Sequence, residues 1–255
     1  MLYLIGLGLG DEKDISVKGL EIVRKCNSVY LEDYTSRLLN TTKNKMERLY
    51  GKDIILASRK LVEQYPEDTI LKEAKKEDVA LLVVGDPFGA TTHSDIFLRA
   101  KNMGVKCKII HNASIINAIG VAGLELYKYG KTTSIPFPMK SFFPETAYDV
   151  IKQNNKNKLH TLCLLDIKAP ENKFMTVNQA IEVLLDIEKK RKEKVFTRKT
   201  ICIGCSRIGS DDVRIKKGTA QELLNENFGA PLHSLIVPGE LHFIEEDMLD
   251  MWSSH

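Results

Sequence analysis

The chain has 255 residues, 43% of them hydrophobic, which is enough for one large domain or two small ones with buried cores. Its 37 basic and 34 acidic side chains nearly cancel to a formal charge of +3, so the overall charge does not favour nucleic-acid or membrane binding. The apolar run 2–9 is too short to span a bilayer and is broken by two glycines. We therefore expect a chain without a membrane anchor or an export signal.

The cysteines are odd in number and lie mostly inside apolar runs, which predicts buried thiols in a reducing compartment. They are Cys26, Cys107, Cys163, Cys202 and Cys205. The last two form a single C-x-x-C pair, without a second pair or histidines at zinc spacing. We expect a cytoplasmic protein without a metal site.

The first half of the chain alternates apolar runs with helical periodicity. The runs 2–7, 28–32, 54–57, 79–84 and 106–110 predict short buried strands. One intervening helix has an apolar face of Ile15, Leu20, Ile22 and Val23 and a capping residue, Ser16. This alternation is typical of a parallel sheet covered by helices.

The second half has a different rhythm. Helical patterns at 115–124, 145–154 and 177–190 separate predicted strands at 133–135, 159–165, 200–205, 213–217 and 234–237. An apparent hairpin before Gly218 predicts a mixed sheet. The expected architecture is therefore two α/β domains, residues 1–112 and 113–255, with a ligand cleft between them.

The most biased segment is 189–199, where seven of eleven residues are basic. A solvated helix end and loop is the main interpretation, and a surface that steers an acidic macromolecule is the alternative.

Two glycine-containing turns follow predicted strands, in the position where open α/β sheets bind ligands. Gly85–His93 follows the run 79–84, and Gly6–Asp11 follows the first strand. A dinucleotide fingerprint would need glycine at Asp11, although Glu32 and Asp33 lie near the position of a ribose-binding acid. The residues by themselves leave open a ligand loop and a tight structural turn.

Three segments resemble the tetrapyrrole methylase superfamily: 6–21, Gly85–His93 and 228–239. Further segments are similar to its diphthamide-pathway branch. They are the Gly-Asp-Pro-x-x-Ala-Thr-Thr-His turn, Leu159–Leu162, Leu165–Ala169, and Phe143-Pro144 before Tyr148–Lys152. The similarity covers essentially the whole chain in order.

The resemblance implies an S-adenosylmethionine-dependent methyltransferase of two α/β domains, usually a homodimer, that binds a folded cofactor in the cleft. The implied substrate is a histidine of translation elongation factor 2 that already carries an aminocarboxypropyl group. Its amino nitrogen is methylated repeatedly, and in eukaryotic relatives a carboxylate is methylated as well. No metal is implied.

The resemblance also assigns cofactor contacts by motif, to Leu9, Asp86, Gly89, Ser114, Ile115, Leu165, Ile208 and His233. The position of Gly89 need not be glycine in relatives, which indicates a backbone contact, and Ile208 fills a place often held by a smaller residue. His93 fits a capping or packing role as well as it fits a functional role. We assign no catalytic residue, because methyl transfer needs mainly an aligned, unprotonated nucleophile.

Three alternative functions remain open. A tetrapyrrole C-methyltransferase would use the same cleft, but the Thr91-Thr92-His93 turn and the segment Leu165–Ala169 favour the protein substrate. A nicotinamide-dinucleotide oxidoreductase would use Gly6–Gly10 and Glu32, and it fails at Asp11. A non-catalytic nucleotide-binding module would need none of the chemistry.

Overall fold

The computed structural model describes residues 1–34, 36–38, 40–139 and 144–253. The chain divides into two compact units. The first is Met1–Ala118 with Lys168–Glu171 and Gly209–Asp211, and the second is made of the remaining segments. The predicted domain boundary after Asn112 stays a prediction, because compactness does not establish independent folding. Phe143, part of one motif, lies outside the described residues.

The first unit contains a parallel five-stranded sheet, as predicted. Its strands are β1 (Leu2–Gly6), β2 (Ser28–Glu32), β3 (Ile55–Ala57), β4 (Val79–Val83) and β5 (Cys107–Ile110), in the order β3-β2-β4-β1-β5. Alternate residues of β4 enter two different apolar clusters, Leu81 in one and Leu82 in the other. Both faces of this central strand are therefore buried, which explains its uninterrupted apolar sequence.

The helices of this unit are α1 (Val17–Lys25), α2 (Lys43–Tyr50), α3 (Ile70–Ala74), α4 (Ser94–Asn102) and α5 (Ile115–Ala118). A 3-10 turn at Glu12–Asp14 and a π-helical turn at Lys60–Gln64 accompany them. Ser16 caps α1 as predicted, since its Oγ accepts from the Gly19 amide at 3.1 Å. Ile15 differs from the prediction: it precedes the cap and is buried in the cluster that also holds Val23.

The second unit is built on a mixed sheet. Its strands are β6 (Thr133–Ile135), β7 (Thr161–Leu165), a short pair β8 (Ile167–Lys168) and β9 (Lys173–Phe174), β10 (Ile201–Ser206), β11 (Arg214–Thr219) and β12 (His233–Val237). The main sheet has the order β11-β10-β12-β7-β6. Only the β6–β7 pair among its described strands is parallel. The predicted hairpin before Gly218 is the antiparallel β10–β11 pair.

The helices of the second unit are α6 (Thr146–Lys156), α7 (Val177–Arg191), α8 (Ala220–Leu223) and α9 (Phe243–Asp250), with 3-10 turns at Leu126–Lys128 and Ala169–Glu171. The predicted helix 115–124 is shorter than expected. It ends at Ala118 and continues as a 3-10 turn, Ile119–Ala122, before Gly123 at φ +96°. Gly123 takes the left-handed conformation that ends a helix.

Buried apolar side chains of α6, α7 and the sheet form the core of the second unit, including Tyr148, Leu184 and Leu235. Cys202 and Cys205 lie buried on β10 as free thiols, and burial raises the pKa of each to about 12. They are packing residues of the strand.

The basic segment 189–199 covers the end of α7 and the loop after it. Most of its lysines are exposed, but Arg191 is only 18% exposed and contacts Glu145, Asp149 and Glu193. Among the described helices, none has the length and apolar character needed to cross a membrane.

Candidate cofactor site

The turns after β1 and β4 lie side by side, because these strands are parallel neighbours. The Gly8 amide donates to the Gly85 carbonyl at 3.3 Å, and the Gly85 amide donates to the Gly8 carbonyl at 2.8 Å. Both glycines have left-handed φ values, +77° and +78°. Residues other than glycine are strained in this conformation, so the paired turns depend on glycine.

Asp14 and Asn112 hold the first turn in place. Asp14 Oδ2 accepts from the amides of Leu9 and Gly10 at 3.2 and 2.7 Å. The Asn112 side-chain amide donates to the carbonyls of Gly6 and Asp14, both at 2.9 Å. Sequence reasoning missed both residues, because neither belongs to a motif and their partners are main-chain atoms.

Asp86 ties its own loop to the segment after β5. Its Oδ1 accepts from the Phe88 amide at 2.8 Å, while Oδ2 accepts from the Asn112 amide at 3.0 Å and lies 2.9 Å from His111 Nδ1. Burial by itself would raise the pKa of Asp86, but these hydrogen bonds outweigh burial and the pKa is lowered. The carboxylate stays ionised and organises the loop.

Gly89 packs closely against Ser114. A Cβ there would lie 2.4 Å from Ser114 Oγ and 2.7 Å from Ser114 Cβ. Ser114 is buried, donates to the Gly89 carbonyl at 3.4 Å and accepts from the Ile116 amide at 3.3 Å, which caps α5. Ile115, half-buried, is the first residue of that helix.

A small cradle opens at Gly85. A Cβ built on this residue would stand 3.8 Å from Leu9 Cδ2, 3.8 Å from the Ala113 carbonyl oxygen and 3.9 Å from Ser114 Cα. The structure thus brings together the predicted residues Leu9, Asp86, Gly89 and Ser114, with Ile115 following. The cradle offers an apolar side chain and main-chain polar atoms, the combination that suits a neutral heterocycle such as adenine. S-adenosylmethionine fits this chemistry.

The other three predicted contacts lie in the second unit, and each is buried. Leu165 ends β7 within the apolar core. Ile208 directly follows Arg207 and is buried as well. Their contacts with a cofactor stay predictions.

His233 begins β12 with both ring nitrogens engaged. Its Nδ1 accepts from the Val177 amide at 3.3 Å, and its Nε2 lies 3.0 Å from the Ala230 carbonyl, to which it donates. Burial lowers the pKa of His233, so the ring is neutral. The imidazole is satisfied within the protein, and the contact of His233 with a cofactor stays a prediction.

Arg207 has a structural role that the sequence did not reveal. It is buried at a left-handed φ of +52°. Its guanidinium donates to the carbonyls of Phe228 at 3.1 Å and Asp212 at 2.7 Å. Arg207 thereby fixes the loop that leads into β12. An arginine directly after an apolar strand was the available signal.

Glu32 ends β2, near the position of a ribose-binding acid, but it is buried against His93. Its carboxylate is 3% exposed, and Oε2 is 2.7 Å from His93 Nε2. Asp33 pairs with Arg37 at 3.1 Å. Both acids have partners within the protein, which weighs against a ribose-binding role. Within the described ranges, no group of three or more histidine, cysteine or acidic residues could hold a metal ion.

Comparison with protein families agrees with this geometry. Residues 1–224 match the family described as Tetrapyrrole (Corrin/Porphyrin) Methylases. The chain therefore belongs to the tetrapyrrole methylase family, and it is a methyltransferase.

Within the family, the chain is similar to diphthine synthases over its whole length. It is 51% identical to the diphthine methyl ester synthase of Dictyostelium discoideum, over 98% of this chain and 97% of that protein. The human diphthine methyl ester synthase is 49% identical, over 99% of this chain and 95% of that protein. A crystal structure of diphthine synthase superposes with a TM-score of 0.89 and 37% identity, over 99% of this chain and 95% of that chain.

Proposed function

We propose that this methyltransferase uses S-adenosylmethionine to methylate the aminocarboxypropyl-modified histidine of translation elongation factor 2, on the path to diphthamide. Full-length similarity to diphthine methyl ester synthases supports the substrate. The observation that carries the cofactor is the glycine-built cradle at Gly85, bounded by Leu9 and Ser114. The methylated atoms are the amino nitrogen, repeatedly, and the carboxylate, whose methylation is supported by the methyl ester in the names of the relatives.

The protein's part in the reaction is to hold and align. When bound, S-adenosylmethionine supplies a methyl group on a sulfonium, which is already a strong leaving group. In the first unit, Leu9, Gly89, Ser114 and Ile115 contact the cofactor through apolar surface and main chain, and Asp86 keeps their loops in register. Alignment and exclusion of water supply most of the catalysis.

The acceptor needs little help from an acid or base. An α-amino group has a pKa near 8, so about a tenth is neutral at pH 7, a cost on the order of 1 kcal/mol. A carboxylate acceptor needs no deprotonation at neutral pH. The reaction therefore depends on residues that position the substrate and cofactor, and it needs no obligatory catalytic base.

The protein acts as a homodimer in this proposal, through an apolar surface of the second unit. Large exposed side chains occur on α9, at the residue after it and on the 3-10 turns before β6, namely Val121, Leu126, Tyr127, Phe243, Ile244 and Met251. The two segments adjoin, since Trp252 Nε1 donates to the Ala122 carbonyl at 3.1 Å. An exposed apolar patch of this kind marks an interaction surface. Cytoplasmic elongation factor 2 as substrate implies a cytoplasmic enzyme.

The test is mass spectrometry of elongation factor 2 that carries the aminocarboxypropyl group, after incubation with this protein and methyl-labelled S-adenosylmethionine. We expect successive additions of labelled methyl groups on the modified histidine, and none on factor without the aminocarboxypropyl group. Unlabelled factor, together with labelling of a tetrapyrrole macrocycle, would overturn the proposal in favour of a C-methyltransferase.

A further inference from the structure

A pocket of about 320 Å³ opens in the first unit, next to the cofactor cradle along the chain. Its walls are Tyr34, Val62, Glu63, Thr92, His93, Asp95 and Ile96. Thr92 and His93 end the same Gly85–His93 turn whose first residues form the cradle. The volume lies at the small end of ligand pockets, which suits a side chain or a small head group.

Carboxylates outnumber cations around this pocket. Glu63 and Asp95 line it, and Glu32 lies behind His93. Two guanidinium groups stand nearby: Arg59 Nε is 3.7 Å from Glu63, and Arg99 Nε is 2.8 Å from Asp95. Arg99 also pairs with a further acid, Glu67, at 3.1 Å. These described groups leave a negative excess, which favours a cationic ligand.

His93 presents a buried acceptor in the pocket wall. Its side chain is 1% exposed, and Nδ1 has no hydrogen-bond partner among the described residues. Nε2 lies 2.7 Å from Glu32 Oε2, at hydrogen-bond distance although without hydrogen-bond alignment. The neighbouring carboxylate favours the tautomer with the proton on Nε2, which leaves a lone pair on Nδ1. A buried acceptor of this kind needs a donor, and a ligand N–H group supplies one.

The aromatic wall already holds a cation at its face. The Arg59 guanidinium carbon lies 5.2 Å from the centroid of the Tyr34 ring, the geometry of a cation–π contact. The Arg59 side chain is 63% exposed, and its displacement into solvent would uncover the ring face. An incoming ammonium group would then find the ring face and the Glu63 carboxylate together.

We propose that this pocket binds an alkylammonium group, the amino end of the acceptor side chain. The inference rests on the proposed function and assigns it a substrate subsite. An amine or ammonium that still carries N–H donates to His93 Nδ1, and the ammonium loses a proton to solvent before its nitrogen accepts a methyl group. A quaternary ammonium has no donor and is held by the Tyr34 ring and the carboxylates. The subsite thus accepts the amino group before and after methylation, as repeated methylation requires.

The experiment titrates the full chain with choline and with 3,3-dimethylbutan-1-ol, its neutral isostere, by ligand-observed NMR. Choline should bind at least about tenfold more tightly than the alcohol. A difference of this size is expected from a cation–π contact together with the attraction of the carboxylates. Tyr34→Leu and Glu63→Gln should each weaken choline at least about threefold. Arg59→Gln should tighten it, because the competing cation is removed.

The matched control is Glu21→Gln, which removes an exposed carboxylate of α1 outside the pocket wall and should leave choline binding unchanged. Calorimetry with S-adenosylhomocysteine checks that each variant is folded. Equal affinity for choline and the alcohol, tighter binding of acetate, or variants as tight as the control would overturn the inference. If elongation factor 2 is methylated but choline is not preferred, the subsite is wrong and the proposed function stands. If choline is preferred but elongation factor 2 is not methylated, the proposed function is wrong and the pocket still binds alkylammonium groups.

Discussion

Two carboxylates with lowered pKa values, Asp86 and Glu245, anchor very different regions. Asp86 organises glycine turns that enclose an open cradle, and one of its partners is the exposed imidazole of His111. Glu245 is fully buried in the second unit. It accepts from the amides of Glu125 at 2.9 Å and His242 at 2.8 Å, and it contacts Lys128 and His160.

The difference lies in what surrounds each acid. The Glu245 network closes on itself, since His160 also accepts, at Nδ1, from the Gly239 amide at 2.9 Å. Around Asp86 the bonds tie two loops together, and Gly85 leaves room for a further atom beside Leu9 and Ser114. A perturbed carboxylate therefore marks a ligand site only where its loops also leave room for the ligand.

The largest effect should come from breaking the closed network. Glu245→Ala leaves Lys128 and His160 without their buried partner, and we expect a loss of about 3–5 kcal/mol in the free energy of unfolding, measured in urea. Glu246→Gln, on the exposed side of the same helix, is the control and should change little. A loss under about 1 kcal/mol for Glu245→Ala would contradict a structural role.

Acid should reproduce that loss in the unmodified protein. The pKa of Glu245 falls from 4.5 to about 2, because its four partners outweigh the opposing effect of burial. A lowered pKa stabilises the folded state at pH values above 4.5, and this contribution disappears as the pH falls from 4.5 towards 2. The Glu245→Gln variant should lose less stability than the native chain across this range.

The next effect tests the space around the cradle. Gly89→Ala brings a Cβ within 2.4 Å of Ser114 Oγ, so the loop must shift. Overpacking costs about 1–3 kcal/mol, which predicts a loss of about tenfold or more in affinity for S-adenosylhomocysteine. The double variant Gly89→Ala with Ser114→Gly removes the clashing atoms and should recover part of the affinity. Unchanged affinity in Gly89→Ala would show that the close contact between Gly89 and Ser114 does not affect cofactor binding.

The smallest effect should come from His111→Ala. The His111 side chain is 71% exposed, and an exposed charged pair contributes little to stability. Affinity for S-adenosylhomocysteine should change less than about threefold, because the amides of Phe88 and Asn112 still hold Asp86. A tenfold loss by calorimetry would make the imidazole, and not the main chain, the principal partner of Asp86.

Periodicity and glycine patterns were sufficient to predict the parallel first sheet and the mixed second sheet, but not the short pair of β8 and β9. The strand β2 was predicted residue for residue, and the β10–β11 hairpin gave the mixed character of the second sheet. Helix ends were less predictable, since α5 ends at Ala118 and gives way to a 3-10 turn although the apolar pattern continues. Periodicity reports which face is buried, and it does not report where the hydrogen-bonding pattern of a helix changes.

At Asp86 and Gly89 the sequence motif falls within the loop that the structure joins to the segment after β5, and their contact with a cofactor stays a prediction. Asp14 and Asn112 escaped notice because they bind main-chain atoms that are distant in sequence. The Glu32–His93 contact escaped for a related reason: β2 and the turn after β4 are distant along the chain and meet only because β2 and β4 are neighbours. Pairwise geometry of this kind depends on strand order, which a single sequence does not specify.

The central claim is that the paired turns of the first unit bind S-adenosylmethionine, and calorimetry tests it directly. The native chain should bind S-adenosylhomocysteine and not NAD. Asp86→Ala, which leaves the Phe88 and Asn112 amides unpaired, should weaken binding about tenfold or more. Asp33→Ala, at an exposed ion pair outside the cradle, should match the native chain. No binding by the native chain, or equal binding by Asp86→Ala, would contradict the claim.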